Sequence, residues 1–345
     1  MRGLACLALS ALLVAACAGG RGPESGTASG ASAAAPSATP PPTQVRASYS
    51  VVSGAMAPLW LADEAGLWRQ HGLEVELTFI SGGPNTMTAL VAGETHFAAA
   101  AGDSALNIQA REPDVVAFLN LSVGSQHRLI VNPAIQRVED LRGRRIGVAT
   151  IGDGVHMLMS KALRQLGFNP ERDFVWTPVG GGGTAGLINA LAAGAIDAAP
   201  LSPPNDLIAI RQGGHALLSL ADFDLPSVGL AAYTLRRTLE QQRPVVEAFA
   251  AGVIDGIRLF KADPALAKEI LKQRIGTTDQ EVIDWSYEAN GRHMPDRPFI
   301  DRERVREAIE TLVAGNPELQ QVQVERAFDT SVLEALEARG YFRQR

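Results

Sequence analysis

The chain has 345 residues, of which 46% are hydrophobic and 20% charged, which suits a globular protein with a sizeable core and room for two medium domains. Its formal net charge of −6, with no block of like charge, argues against the basic face that nucleic-acid binding needs. Both cysteines, Cys6 and Cys17, fall in the first seventeen residues, which leaves the rest without a thiol for a disulfide, a thiolate metal site or a cysteine nucleophile.

The chain opens with MRGLACLALSALLVAAC, one early Arg2 followed by an apolar run and then small residues before Cys17. Residues 1–16 have the pattern of a secretory signal and are too short to span a bilayer. Val14-Ala15-Ala16-Cys17 resembles a bacterial lipobox, which implies cleavage before Cys17 and lipidation of its thiol and amine. An ordinary signal peptide with an accidental cysteine is the alternative, but Cys17 stands where the apolar run ends. From Cys17 to Arg46 the chain is mostly Ala, Gly, Ser, Thr and Pro. Such a segment buries too little apolar surface to offset its ordering entropy, so 17–46 is expected to be a lipidated cysteine and a flexible tether.

From Ala47 the pattern becomes regular. ASYSVV (47–52) alternates as a strand, APLWLADEAGLWRQHG (57–72) is amphipathic and helical, and LEVELTFI (73–80) alternates again. TMTALVAG (86–93) predicts a short helix and THFAAAA (95–101) a buried strand of small residues; DVVAFLNLSV (114–123) and HRLIVNP (127–133) predict two more strands. The plan then recurs as strand 144–150, helix 154–167, strand 173–179, a glycine run at 180–183, helix 185–194 and strand 195–201. SVGLAAYTL (227–235) is extended and suited to return the chain to the first half, after which the tail is helical.

TALVAGETHFA (88–98) and NALAAGAIDAA (189–199) share spacing and glycine, which points to two α/β lobes built to one plan. Each half has three short polar turns where a strand ends and a helix opens. In the first half they are Ser53-Gly54, Gly82-Gly83 and Gly102-Asp103-Ser104. In the second they are Ile151-Gly152-Asp153, Gly182-Gly183-Thr184 and Ser202-Pro203-Pro204-Asn205. Ligands of open α/β sheets sit beyond the carboxyl ends of strands, where glycine lets the backbone approach and helix N-termini offer free N–H groups. Two such edges facing one another would form a cleft, with Ser53, Gly54, Gly82, Gly83, Gly102, Asp103, Ser104, Gly152, Asp153, Gly183, Thr184, Ser202 and Asn205 as its expected ligand-binding residues.

The stretches APLWLADEAGLWRQHGLEVELTFISGGPNTMTALVAGETHFA, LRGRRIGVATIGD and LAAGAIDAAPLSPPNDLIA resemble the solute-binding proteins of ABC importers, in the nitrate/sulfonate/taurine and thiamine-precursor-like branch. This resemblance implies an α/β type II periplasmic-binding fold: two lobes, each a mixed sheet flanked by helices, and a helical C-terminal tail. It implies a first lobe of 47–133 and 227–345, a second of 134–226, and two crossovers acting as a hinge. It also implies a small-molecule ligand, an ABC permease with its ATPase as partner, a monomer, no cofactor, and an extracytoplasmic position held by the lipid anchor.

Several residues carry a plainer account beside the functional one. Gly181 to Gly186 satisfies G-x-G-x-x-G, yet the helix after it is short and a glycine turn at a cleft accounts for it. Asp103 and Asp153 can cap helices, meet a ligand donor, or do both. The six histidines are scattered without metal-ligand spacing; His127 and His156 flank expected cleft segments. Trp68 is expected in the core and Trp60 on a cleft wall. None of the six turns contains Lys or Arg, which leans the ligand toward a neutral, zwitterionic or cationic molecule. An enzyme of thiamine-pyrimidine or menaquinone-pathway type on the same fold is the alternative function; no nucleophile–base pair or carboxylate pair stands out in the sequence to support it.

Overall fold

The computed structural model describes residues 41–152, 154–179, 183–313 and 316–343, with the backbone alone at Asp103. In chain order β1 (Thr43–Tyr49), β2 (Leu73–Phe79), β3 (Phe97–Ala101) and β4 (Val115–Ser122) lie in one sheet. Five strands of a second sheet follow: β5 (Arg128–Val131), β6 (Arg145–Val148), β7 (Val175–Pro178), β8 (Ala198–Leu201) and β9 (His215–Ser219). Then β10 (Leu230–Leu235) returns to the first. The orders are β2-β1-β3-β10-β4 and β7-β6-β8-β5-β9. In each sheet three parallel strands are joined by one antiparallel strand, β10 or β5, and the two orders superimpose position for position.

The repeated plan extends to side chains. Arg46 on β1 donates to the Gly93 carbonyl at 3.2 Å, and Arg145 on β6 donates to the Gly194 carbonyl at 2.9 Å. The Arg46 amide donates to His96 Nδ1 at 3.0 Å, and the Arg145 amide to Asp197 Oδ2 at 2.9 Å. Each arginine thus closes the same helix-to-strand turn in its own lobe. Beside the Arg145 guanidinium, Asp197 is held below the usual carboxylate range.

Two boundaries differ from the sequence expectation. Residues 43–46 belong to β1 and not to the tether: Val45 is buried, and Thr43 to Tyr49 pair in register with Leu73 to Phe79. Composition in this stretch is that of a linker, and main-chain pairing overrides it. The 127–133 stretch belongs to the second lobe, because β5 pairs with β8 and β9. Chain order places it after β4, but the antiparallel slot it fills lies in the other sheet. The lobes are therefore joined by crossovers at 123–127 and 220–229.

Period-two alternation divides each sheet between two cores. On β3, Phe97 and Ala99 face one cluster while Ala98 and Ala100 face another. The first cluster is centred on Phe249 of the helix Arg243–Ala262, stacked 4.0 Å from Phe97 and 5.1 Å from Trp68 between ring centroids. The Trp68 indole N–H donates to the Phe249 carbonyl at 3.1 Å, so Trp68 is core, as its place on the apolar face suggests. Gly252 and Gly256, four residues apart on one helix face, make this packing possible: a Cβ would lie 2.2 Å from Trp68 Cδ1 and 2.1 Å from the Pro58 carbonyl oxygen, respectively.

Candidate functional site

Between the lobes lies a cleft of about 640 Å³. Ser50, Val51, Phe79, Ser81, Gly82, Gly83 and Ser104 form the first-lobe wall at the ends of β1, β2 and β3. Val155, Leu158, Gly183, Thr184, Leu187, Ser202, Asn205 and Ile208 face them from the second lobe, and crossover residues 124–127, Ser227 and Gly229 line it where the lobes join.

Local hydrogen bonds hold these turns. Ser53 Oγ accepts from the Ala55 amide at 3.4 Å, capping the turn Gly54–Met56, and donates across the cleft to the Pro203 carbonyl at 3.2 Å. Thr86 Oγ1, wholly buried, lies 2.8 Å from the Ile80 carbonyl and 3.0 Å from that of Gly82, which ties the glycine turn to the start of helix Gly83–Val91. Gly83 sits so close to Ser104 that a Cβ would come within 2.7 Å of its side chain. In the second lobe, helix Gly183–Ala192 opens at the cleft. The first turn of a helix has N–H groups without intrahelical partners, which suits a helix start at a cleft to hydrogen-bond a ligand.

Six polar side chains on the walls have no hydrogen-bond partner among the described residues. They are Ser50, Ser81 and Ser104 in the first lobe and Thr184, Ser202 and Asn205 in the second. All six are electrically neutral, and each can donate and accept. Ser50 is only 8% exposed and lines the cleft. Between these groups lie Val51, Val155, Leu158, Leu187, Ile208 and Phe79; the last is 44% exposed, uncovered for a residue of its size. The cleft thus offers paired hydrogen-bonding groups around an apolar middle.

His127, in the first crossover, has Nδ1 3.1 Å from Ser125 Oγ. Desolvation pushes its imidazole down to about 4 from 6.5, so the ring is neutral at physiological pH. Its carbonyl accepts from the Leu220 amide at 2.8 Å, which binds one crossover to the other. Arg128, the next residue, turns from the cleft to pair with Asp206 at 2.6 Å.

Of the residues expected from sequence, Ser53, Gly82, Gly83, Ser104, Gly183, Thr184, Ser202 and Asn205 stand on the cleft walls. Asp153 lies outside the described residues, as do Cys17 and the Asp103 side chain. Four expectations are corrected. Trp60 is fully buried, edge-on to Tyr49 at 5.9 Å, because its helix face packs inward. Gly54 is buried against helix Gln280–Gly291, where a Cβ would lie 2.4 Å from Asn290 Nδ2. Gly102 is a packing glycine under Val228, its amide donating to the Gly229 carbonyl at 2.7 Å. Gly152 is exposed, and its amide donates to His156 Nδ1 at 3.0 Å, away from the cleft lining. Sequence reasoning missed Ser50, Phe79, Ser125, Gln126 and Ile275. The polar, glycine-bearing VGSQH between two apolar strands was a signal for the crossover residues; Ile275, far along the chain, carried none.

Comparison with known proteins fits this geometry. A Brucella abortus (strain 2308) candidate binding protein is 36% identical over 109 residues, 31% of this chain and 33% of that protein, so the match spans about a third of that relative's length. YtlA of Bacillus subtilis (strain 168), also a candidate binding protein, is 23% identical over 292 residues, 80% of this chain and 84% of its own. The alkanesulfonate-binding protein SsuA from Xanthomonas axonopodis pv. citri, solved bound to MOPS, superimposes with a TM-score of 0.69 at 21% identity, over 85% of this chain and 100% of that one. The fold is thus that of the periplasmic binding proteins. The family model described as NMT1/THI5 like matches residues 54–267, well over half of the 345, and the chain belongs to that family.

Proposed function

We propose that this protein is the solute-binding subunit of an ABC importer, capturing a small polar organic molecule between its lobes outside the cytoplasm and delivering it to the permease. One observation carries this reading: six unpartnered neutral hydrogen-bonding groups, three from each lobe, face one another across a single cleft. A ligand touching both sets favours the arrangement in which the lobes approach, by its differential affinity for that state. The apolar middle suits a molecule with a hydrocarbon or aromatic part beside its polar groups. In sequence, the six turns expected to line this space contain Asp103 and Asp153 and no Lys or Arg, which leans the ligand toward a neutral, zwitterionic or cationic molecule. Cys17 carries the lipid that keeps the protein at the membrane, on a tether reaching to the start of β1; among the described residues no helix is long and apolar enough to cross a bilayer.

Among the described residues of the cleft, the Ser125–His127 pair is the feature that favours an enzyme. A hydrolytic serine needs a base whose pKa lies near the working pH. An imidazole held near 4 is a weak base at neutral pH, so the pair serves better as a neutral hydrogen-bonding unit. Mass spectrometry of the molecule that co-purifies with Cys17→Ser protein, followed by calorimetry with that molecule, tests the binding reading. One-to-one binding with the molecule recovered intact is expected. Recovery of a chemically altered product, lost on Ser125→Ala, would replace the binding reading with the enzyme.

A further inference from the structure

Outside the cleft, the lobes also meet at a carboxylate without access to solvent. Asp206 follows the cleft residue Asn205 in the first turn of helix Asn205–Arg211 and is 0% exposed. A buried carboxylate must be paired and fully hydrogen-bonded to be tolerated. Two of its partners belong to its own lobe: Arg128 Nε is 2.6 Å from Oδ2, and the Leu207 amide is 2.7 Å from Oδ1. The third comes from the first-lobe helix Gln280–Gly291, whose Trp285 directs its indole N–H between the two oxygens at 3.1 and 3.2 Å. The Arg128 guanidinium also lies over the Trp285 ring, 4.5 Å from its centroid.

We propose that Trp285 is a positioning residue for ligand capture, a neutral latch that ties the second-lobe wall, through Asp206, to the first lobe. Its chemistry suits reversible docking. Asp206 and Arg128 neutralise one another within the second lobe and stay paired when the lobes part. Separation then breaks one indole hydrogen bond and one cation–π contact, and water replaces them at an ion pair that is already complete. A charged first-lobe partner in place of Trp285 would leave an unpaired ion behind. At the far end of the same helix, Arg211 pairs with Asp279 and Glu281. Those groups are partly solvated, where ion pairs contribute little and are screened by salt. Because Asn205 adjoins Asp206, the latch also sets how far a cleft-wall amide stands from the first lobe. The inference rests on the inter-lobe geometry and not on the identity of the ligand.

Spin-label distance measurement tests it without ligand. Labels are placed at Glu76→Cys and Gln165→Cys, one on each lobe, in full-length protein carrying Cys6→Ser and Cys17→Ser. Trp285→Phe keeps an aromatic ring and removes the donor. We expect it to shift the ratio of parted to contacted lobes about tenfold, as for loss of a hydrogen bond to a charged group, while Arg211→Ala shifts it little. Distance distributions that superimpose for Trp285→Phe and the parent, or that move as far for Arg211→Ala, would overturn the proposal. A second measurement stands even if Trp285→Phe folds poorly: in the parent protein the Trp285 indole N–H should exchange with deuterium at least tenfold more slowly than a free indole, and exchange at the free rate would overturn it equally.

Discussion

Replacing His127 with Gln removes a desolvated imidazole at the junction of the crossovers and should alter how stability depends on pH. In the folded protein burial pushes this imidazole down to about 4, whereas in the unfolded chain it titrates near 6.5. Above pH 6.5 the ring is neutral in both states, and its contribution is constant. As pH falls below 6.5 the unfolded chain takes up a proton that the folded protein refuses, so stability declines until about pH 4. A difference of roughly 2.5 pKa units at 1.36 kcal/mol each sets an upper bound of about 3 kcal/mol. His127 borders an open cleft, and solvent there reduces the penalty, so the expected loss is about 1–3 kcal/mol. Urea unfolding followed by tryptophan fluorescence, at half-unit steps from pH 8 to about pH 4.5, gives the stability of each protein. Subtracting the His127→Gln curve cancels carboxylates common to both, including Asp197 and Asp140. The difference should be flat above pH 6.5 and fall below it. A difference that stays flat throughout, or a wild type that gains stability on acidification relative to the variant, would refute the assignment of a desolvated neutral ring.

Three further outcomes are expected. Gly102→Ala places a Cβ 2.1 Å from Val228 Cβ, and overpacking there should cost about 1–3 kcal/mol, read as a lower urea midpoint with an unchanged slope. Asp103→Ala should weaken calorimetric affinity for the co-purified molecule by about 1–3 kcal/mol if the carboxylate meets a ligand donor, whereas a purely capping Asp103 would cost about 1 kcal/mol of folding stability and leave affinity intact. Cys17→Ser should move the protein from the membrane to the soluble fraction, since stable anchoring takes more than one acyl chain and the variant would carry none; a wild type that is already soluble after signal cleavage would contradict the anchor.

The local plan of this protein was legible in its sequence because it depends on near-neighbour chemistry. Alternation set the strands, glycine and polar residues set the turns between them, and the matched segments around Gly93 and Gly194 announced two lobes that the arginines at 46 and 145 then close in the same way. Eight of the expected turn residues stand on the cleft, since turns at the carboxyl edges of parallel strands gather on one side of a sheet, whereas Gly54, Gly102 and Gly152 in the same turns face packing or solvent. What depended on pairing between distant segments was not legible. β5 reads as the next strand after β4, yet its backbone groups are satisfied in the other sheet, and only assembly of β8 and β9 offers that slot. Val45 is one apolar residue in a linker-like stretch, and it becomes core because β2 supplies the ladder beside it. Trp60 leaves its expected place on the cleft wall for the core, and Phe79, given no role from sequence, stands on the cleft, for the same reason. Helical and strand periodicity show that a side chain has an inside face, but whether that face meets a core or a cleft is decided by what packs against it. The contact of Asp206 with Trp285 joins residues 79 apart in sequence and in different lobes. No local pattern encodes it, because a buried carboxylate is tolerated only where folding delivers its donors.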